Sequence, residues 1–227
     1  MIGGYRAVSI LIFFLVFSLS GCETLNNTDP HASMKKSTLQ WINNPARVTH
    51  AENNVAQFQF IGAGGFYLDF PSGGVLVDPF YSNPGLLAIT NIRSLVSDPE
   101  IIDRHLPPLD NIKALLVGHA HFDHALDIPY IATKLPQITQ IYGNSTLKNI
   151  LATTLTPNKI VNVEPSMAVN GHGGRWQEIS PHLRVLPISS NHAPQFGPWL
   201  FAVGNIEKPQ RHLPKSALGW RSGKNLS

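Results

Sequence analysis

The stretch Ala114–Asp127 reads ALLVGHAHFDHALD and contains a short apolar run, a glycine and then a dense group of polar side chains. In an extended chain, residues two apart point to the same side, so His119 and His121 are placed to face one metal ion together. Asp123 and His124 lie just beyond, where the backbone must turn. They are placed to face a second ion, or a water held on the first.

The residue types in this stretch favour a metal site over a packing role. Three histidines and an aspartate directly behind a strand-like run are expensive to bury without partners. Imidazole and carboxylate ligands suit zinc, and they also suit iron or manganese. The sequence therefore predicts a bound cation and leaves its identity open.

The pattern H-x-H-x-D-H at the end of an apolar strand resembles the metallo-β-lactamase fold superfamily of metal-dependent hydrolases. The resemblance continues upstream at Gly74–Pro79, which reads GVLVDP, and downstream at His192. It implies an α/β fold of the αββα sandwich type. It also implies that Asp78 hydrogen-bonds the metal-binding loop and holds it in place.

The resemblance assigns roles to the polar side chains. His192 follows the predicted strand Leu183–Ile188 and lies 71 positions after His121, which fits the third ligand of the first ion beside His119 and His121. Asp123 and His124 would hold a second ion. With one ion only, Asp123 would instead act as a catalytic residue that orients the attacking water or moves its proton. The implied activity is hydrolysis by a metal-activated water.

The substrate is left open by the resemblance, because related proteins act on lactams, thioesters, phosphodiesters and lactones. Phe196 and Trp199 follow His192 and are placed either to form one wall of a pocket or to pack in the core, which is the commoner role of aromatic residues near a site. This wall, together with a lipid anchor predicted near the N-terminus, favours an ester, phosphodiester or related bond in a small or lipid-like molecule.

The chain departs from the superfamily pattern after His192. Of the 35 residues that follow, none is an aspartate, whereas the superfamily has a bridging Asp (Cys in some members) and then a last histidine on a late strand. We therefore expect a sandwich that is incomplete at the C-terminus, an exposed sheet edge and one tightly held ion at most. The alternative function is a catalytically weak or inactive lipoprotein that binds a metal or a partner.

The first 21 residues read as a lipoprotein signal peptide, with a positive charge at Arg6 and an apolar segment at Ala7–Phe17. Leu19–Cys22 resembles a bacterial lipobox, which implies cleavage before Cys22 and acylation of that residue. A diacylated and N-acylated cysteine is sufficient for stable anchoring. We expect a cell-envelope protein tethered to a membrane, with an uncleaved signal anchor as the alternative.

Residues 22–54 are polar and poorly periodic, which is typical of a tether, and residues 55–227 form the predicted metallo-β-lactamase-like domain. The net charge of +3 and the absence of a Lys/Arg cluster argue against nucleic acid as a partner. Cys22 is the only cysteine, so the chain has no internal disulfide.

Local patterns predict several further features. Gly62–Gly65 is a hairpin turn, because the Lys-Ser/Thr of a phosphate-binding loop is missing and no helix follows. Asp127 and Asn144 are placed to cap the helices that follow them. Strands alternating with helices support the α/β class. His172 and His182 are expected to be exposed loop residues, and Ala217–Gly223 to begin a hairpin.

Overall fold

The computed structural model describes residues 56–90, 92–169, 172–192, 194 and 199–226. These residues all belong to one compact unit, Pro45–Ser227. The predicted signal peptide, the acylated Cys22 and the tether lie outside the described residues, so the proposed division of the chain stays a prediction. Within the described part, no helix is long and apolar enough to cross a membrane.

The described strands form one six-stranded mixed sheet and two small ribbons. The large sheet runs in the order β1 to β6, with β1, β2 and β3 antiparallel and β3 to β6 parallel. Two antiparallel pairs, β7 with β8 and β9 with β10, lie outside it. The strands are β1 Gln57–Gly62, β2 Gly65–Phe70, β3 Gly73–Val77, β4 Ile112–Leu116, β5 Gln140–Gly143, β6 Ile160–Asn162, β7 Gln177–Ser180, β8 Leu183–Val185, β9 Ser189–Ser190 and β10 Asn225–Leu226.

The helices of the described part are short and lie between the strands. They are α1 Leu86–Ile89, α2 Pro99–His105, α3 Phe122–Ala125, α4 Ile128–Lys134 and α5 Ser145–Leu151. Single 3₁₀ turns occupy Pro157–Lys159, Glu164–Ser166 and Ala217–Gly219. Parallel strands joined through helices confirm the α/β class.

The helices pack on one face of the sheet because alternate strand residues are apolar on that side. Leu115 of β4 and Ile141 of β5 are completely buried there, against Ile131 of α4 and Ile150 of α5. Trp220, from the C-terminal part of the chain, is buried in the same cluster. This face supplies most of the core.

The other face of the sheet carries a smaller apolar cluster. Val75, Ala114 and Tyr142 are buried there, and partly buried side chains of β7 and β8 pack against them. At the outer strand β1 this face is open, and Phe58 and Phe60 are 64% and 51% exposed. Apolar side chains are therefore exposed on this face, while the exposed sheet edge and the αββα sandwich stay predictions, because the described strands form no second large sheet on this face.

The hairpin at the glycine-rich turn is confirmed. β1 and β2 pair antiparallel across it, and Gly62 has a φ of 101°. A Cβ on Gly65 would lie 2.5 Å from the carbonyl oxygen of Asp78 and 2.9 Å from a side-chain carbon of Ile61. A side chain at residue 65 is therefore excluded by the neighbouring backbone.

One helix cap is confirmed and two other local predictions are wrong. Asn144 accepts a hydrogen bond from the Leu147 N–H at the start of α5. Asp127 precedes α4 but makes no side-chain cap, because its carboxylate bonds a distant segment instead. Ala217–Gly223 does not begin a hairpin: it contains a 3₁₀ turn, and the chain then pairs with β9 through β10.

Candidate metal centre

The loop after β4 presents its histidines from an extended segment that ends in a helix. His121 has extended dihedral angles and directly precedes α3, which begins at Phe122 and carries Asp123 and His124 in its first turns. Because the backbone changes from extended to helical after His121, the side chains of Asp123 and His124 point in a different direction from those of His119 and His121.

Three ring nitrogens from two distant segments meet at one point. His119 Nε2 lies 2.9 Å from His121 Nδ1, and His192 Nε2 lies 3.0 Å from the former and 3.1 Å from the latter. His192 follows β9, a two-residue strand that pairs with β10. The structure therefore brings together the three histidines that the sequence predicted as ligands of one ion.

The hydrogen bond on the far side of His121 fixes its tautomer. Its Nε2 lies 3.0 Å from the carbonyl oxygen of Ala202, which can only accept a hydrogen bond. In the neutral ring Nε2 is therefore the protonated nitrogen, and Nδ1 directs a lone pair at the other two histidines. Metal-binding histidines commonly donate their second N–H in this way.

Burial favours the neutral form of two of these histidines, His119 and His121. Together with the neighbouring rings of His124, His121 and His192, burial lowers the pKa of His119 to about 2. Burial also lowers the pKa of His121, although the hydrogen bond to Ala202 opposes the change. Neutral imidazoles are the form that binds a cation.

The spacing of the three nitrogens fits a cation. A triangle with these edges has its centre about 1.7 Å from each corner, slightly less than a zinc–nitrogen bond of about 2.0–2.1 Å. The three nitrogens are therefore close enough together for one ion to bind them all, and such an ion would remove the repulsion between lone pairs that face each other. The donor set and its spacing suit zinc, iron or manganese.

A second group of donors adjoins the first and shares a member with it. Ligand atoms of His119, Asp123 and His124 lie within 4.8 Å of one another, as do those of the three-histidine cluster. His124 Nε2 lies 3.7 Å from the Asp123 carboxylate. The structure thus brings together all five residues predicted as ligands, in two groups that meet at His119.

Asp78 lies behind the loop that carries the histidines, where it contacts Gly118 and His124. One oxygen accepts a hydrogen bond of 2.7 Å from the Gly118 N–H, and the other lies 3.1 Å from His124 Nδ1 without the alignment of a regular hydrogen bond. Burial lowers the pKa of His124, but the Asp78 carboxylate, helped by Asp123, outweighs it and raises the pKa above its usual value. The φ of Asp78 is 42°, a backbone form that turns the chain sharply at this point.

The β1–β2 hairpin also reaches the site. A Cβ on Gly64 would lie 3.2 Å from His124 Cε1, so the turn closes over the His124 ring. The glycine-rich turn thus has a packing role at the metal centre that the sequence did not reveal. The signal was present in the run of glycines, but nothing local indicated what the turn would contact.

Asp127 is a further residue whose role was missed. It is fully buried, and its carboxylate accepts hydrogen bonds from the N–H groups of Tyr81 and Ser82 and from the Ser82 hydroxyl. The Ser82 hydroxyl oxygen in turn accepts from the Asp98 N–H at the start of α2. Asp127 therefore ties the segment after β3 to the helices that follow the metal-binding loop.

A cavity of about 710 Å³ opens on the histidines. Its apolar wall includes Ile89, Phe122, Phe201 and Leu218. Both expectations for Trp199 are wrong, because the residue is 65% exposed and does not line the cavity, and Phe196 lies outside the described residues. His172 and His182 are exposed, as predicted, and take no part in the site.

Comparison with known proteins yields structural matches only. No protein-family model matches the chain, and no curated protein matches it. The solved structures include Igni18, a metallo hydrolase from the hyperthermophilic archaeon Ignicoccus hospitalis, at 16% identity and a TM-score of 0.37, covering 62% of this chain and 51% of that one.

Two structures of the chemotaxis sensor ODP also match. Its peroxy diiron species aligns at 19% identity and a TM-score of 0.31, and its apo state, from T. denticola, at 17% and 0.32. Both alignments cover 50% of this chain and 43% of the sensor. The chain thus spans about half the length, or less, of these proteins, and a likeness at such TM-scores does not support any particular activity.

Proposed function

We propose that this protein is a metal-dependent hydrolase related to the metallo-β-lactamase superfamily. The observation that carries the proposal is the convergence of His119, His121 and His192, whose ring nitrogens lie 2.9 to 3.1 Å apart although they come from segments more than 70 residues apart. Imidazole rings in this arrangement serve no packing purpose that apolar side chains would not serve better.

The three histidines would hold one ion of zinc, manganese or iron in a site with three protein ligands and an open position. A cation bound in such a site lowers the pKa of a coordinated water towards 7 and polarises the bond under attack. The Ala202 carbonyl keeps His121 in the tautomer that binds. Asp78 holds the loop through its bond to the Gly118 N–H.

Asp123 is the residue that would handle the proton. Its carboxylate lines the cavity and is 41% exposed, so it is accessible to water and to a substrate. In the proposed reaction a carboxylate oxygen of Asp123 accepts the proton of the attacking water and passes it to the leaving group. His124 Nε2 lies 3.7 Å from this carboxylate. When the His124 ring is protonated, its positive charge stabilises the negative charge of Asp123.

An assay of generic esters and phosphodiesters with added zinc or manganese tests the proposal. We expect turnover that depends on added metal, is abolished by a chelator and falls at least about a hundredfold in His121→Ala. The matched control is His172→Ala, which replaces an exposed loop histidine and should leave the rate unchanged. Equal rates in the two variants would contradict a metal-dependent hydrolase.

A protein that binds metal without turnover is the second candidate. It is favoured by the sharing of His119 between the two donor groups, which leaves Asp123 and His124 as the only other described ligands of a second ion. We expect one tightly bound ion per chain by elemental analysis. Tight binding of one ion with no turnover of any substrate would favour this candidate.

We further propose that the protein is a lipoprotein of a bacterial cell envelope, anchored through Cys22. The proposal is supported by the apolar segment before Cys22 and by the use of the only cysteine at that position. Labelled palmitate should enter the wild-type protein and not Cys22→Ala. Equal labelling of both proteins would overturn the anchor.

A further inference from the structure

The cavity beside the three histidines has an accessible apolar wall. Ile89, Phe201 and Leu218 line it and remain 38%, 47% and 51% exposed, and Phe122 adds an aromatic ring from α3. Side chains of this kind gain free energy when a ligand removes them from water. The volume of about 710 Å³ lies well within the range of small-molecule sites, about 300 to 1,000 Å³.

The described side chains around this cavity supply no lysine or arginine for an anionic substrate. No described residue that lines it is a lysine or an arginine, although the chain as a whole carries 17 of these and a net charge of +3. Asp123 places a carboxylate in the wall. Sites that bind phosphate groups usually contain arginine, which forms two parallel hydrogen bonds to the phosphate, or lysine, which supplies a compact positive charge.

The remaining polar wall is uncharged. Ser190, Asn191 and Asn225 line the cavity. Their hydroxyl and amide groups can both donate and accept hydrogen bonds. The hydroxyl group of a neutral alcohol can pair with either kind of group.

We propose that the cavity takes an uncharged carboxylic ester with an apolar acyl chain and a neutral hydroxylated alcohol, an inference that rests on the proposed hydrolase function. The acyl chain lies on the wall of Ile89, Phe201 and Leu218, and the alcohol faces the uncharged polar wall. Hydrolysis breaks the bond between the acyl carbon and the ester oxygen and forms one between that carbon and the water oxygen. One water proton goes to the alcohol, and the second is released from the carboxylic acid.

A series of p-nitrophenyl esters from acetyl to decanoyl tests the acyl preference, with bis(p-nitrophenyl) phosphate as the anionic counterpart. The full-length protein is assayed with added zinc. We expect kcat/KM to rise at least about tenfold from the acetyl to the octanoyl ester, since each buried methylene adds to binding. The phosphodiester should be the poorer substrate.

Phe201→Ser and Leu200→Ser form a matched pair for the same series. The two residues are neighbours and are 47% and 46% exposed, but only Phe201 lines the cavity. We expect Phe201→Ser to lose at least about two thirds of the advantage of the octanoyl ester, and Leu200→Ser to keep it. Equal loss in both variants would contradict the assigned wall.

A labelling experiment is independent of turnover. An octanoyl ester with a diazirine at the end of its acyl chain is irradiated with the metal-free, full-length protein, and the modified peptides are found by mass spectrometry. Peptides with Phe201 and Leu218 should be labelled more strongly than those with the exposed Phe58 and Phe60. Stronger labelling at Phe58 and Phe60 would overturn the acyl site.

The outcomes separate this inference from the function on which it rests. Metal-dependent hydrolysis with no dependence on acyl length, or with preference for the phosphodiester, overturns the substrate class and keeps the hydrolase. Absence of any metal-dependent hydrolysis overturns the hydrolase and, with it, the ester reaction. The labelling pattern then decides whether an acyl-binding cavity remains.

Discussion

The two halves of the candidate site are built in different ways. The sheet half consists of His119, His121, Asp123 and His124 on the loop after β4, and it is held by Asp78 through the Gly118 N–H at 2.7 Å. The C-terminal half consists of residues 189–226, which bring His192, the Ala202 carbonyl and the wall residues Phe201 and Leu218. Its described secondary structure is limited to two-residue strands and one 3₁₀ turn.

The C-terminal half is held by individual hydrogen bonds to the sheet half and to α5. The Ala120 N–H donates to the Ser222 carbonyl at 2.9 Å, and Asn144 donates to the same carbonyl at 2.8 Å. The Ile206 N–H donates to the Thr146 hydroxyl oxygen at 3.1 Å. The six-stranded sheet supports one half of the site, while single hydrogen bonds from backbone and side-chain groups hold the other.

The largest expected effect is the loss of zinc affinity when one histidine of either half is replaced. His119 belongs to both donor groups, whereas His192 belongs only to the first. We therefore expect His119→Ala to weaken zinc binding by more than about a hundredfold, and His192→Ala by about tenfold to a hundredfold, because His119, Asp123 and His124 remain. Competition with a chelating dye measures both affinities.

His182→Ala serves as the control for these two variants, since His182 is exposed and belongs to neither donor group. It should bind zinc as the unsubstituted protein does. If His192→Ala were the more damaging variant, the cation would depend mainly on the C-terminal half, and the contrast between the two halves would be reversed.

The next largest effect is expected from a side chain added to Gly65, which would push against the backbone of the sheet half. In Gly65→Ala the new methyl group would lie 2.5 Å from the Asp78 carbonyl oxygen. Overpacking of this kind should lower the free energy of unfolding by about 2–3 kcal/mol and displace Asp78 from the metal-binding loop. Urea denaturation and zinc affinity measure the two consequences.

Gly85→Ala is the matched control, because a Cβ at that position would meet no atom within 4 Å. Its free energy of unfolding should stay within about 1 kcal/mol of the unsubstituted protein. A Gly65→Ala protein as stable as Gly85→Ala would show that β2 and β3 can move apart at little cost.

The third prediction loosens the C-terminal half alone. Thr146 is fully buried, and Thr146→Val keeps its shape while it leaves the Ile206 N–H without an acceptor. We expect the free energy of unfolding to fall by about 1–2 kcal/mol. Zinc affinity should fall severalfold through His192, as dye competition would show.

Thr133→Val provides the comparison for that variant, since the Thr133 hydroxyl donates to the Tyr130 carbonyl at an exposed position. It should change neither stability nor zinc affinity by a measurable amount. A Thr146→Val protein that unfolds more easily but binds zinc normally would show that His192 is held independently of α5.

The sheet half was largely predictable from the sequence because its signals are local. Strict alternation places His119 and His121 on one side of an extended chain, and the apolar run before them marks the strand. Asn144 is followed by a helix with the cap geometry that its short polar side chain favours. His192 was found through a resemblance and not through any pattern around it.

The rest depended on contacts that no short window contains. Asp127 stands at the start of a helix, where a cap is the ordinary expectation, yet its carboxylate binds the N–H groups of Tyr81 and Ser82, more than 40 positions earlier. His121 donates to the backbone carbonyl of Ala202, 81 positions later. Because every residue has a backbone carbonyl, the sequence gives no sign of which one accepts this hydrogen bond. The cavity wall combines Ile89 and Phe201 from segments with no common pattern.

The smallest expected effect is a change in the free energy of unfolding when one strained alanine in either half is replaced by glycine. Ala63, in the β1–β2 turn, and Ala202, beside His121, have φ values of 47° and 52°, a region that costs a residue with a Cβ about 1–2 kcal/mol. Glycine removes this strain but loses more conformational entropy on folding. We therefore expect Ala63→Gly and Ala202→Gly each to raise the free energy of unfolding by about 0.5 kcal/mol in urea denaturation.

The zinc affinities of these two glycine variants test the comparison between the two halves of the site. The Ala202 carbonyl accepts hydrogen bonds from His121 and from the Ser222 N–H, and both bonds use the backbone, which the substitution keeps. Both variants should thus bind zinc within about twofold of the unsubstituted protein. A clear loss in Ala202→Gly alone would mean that the strained backbone itself holds the acceptor against His121, so that the C-terminal half owes its geometry to rigidity at that one residue.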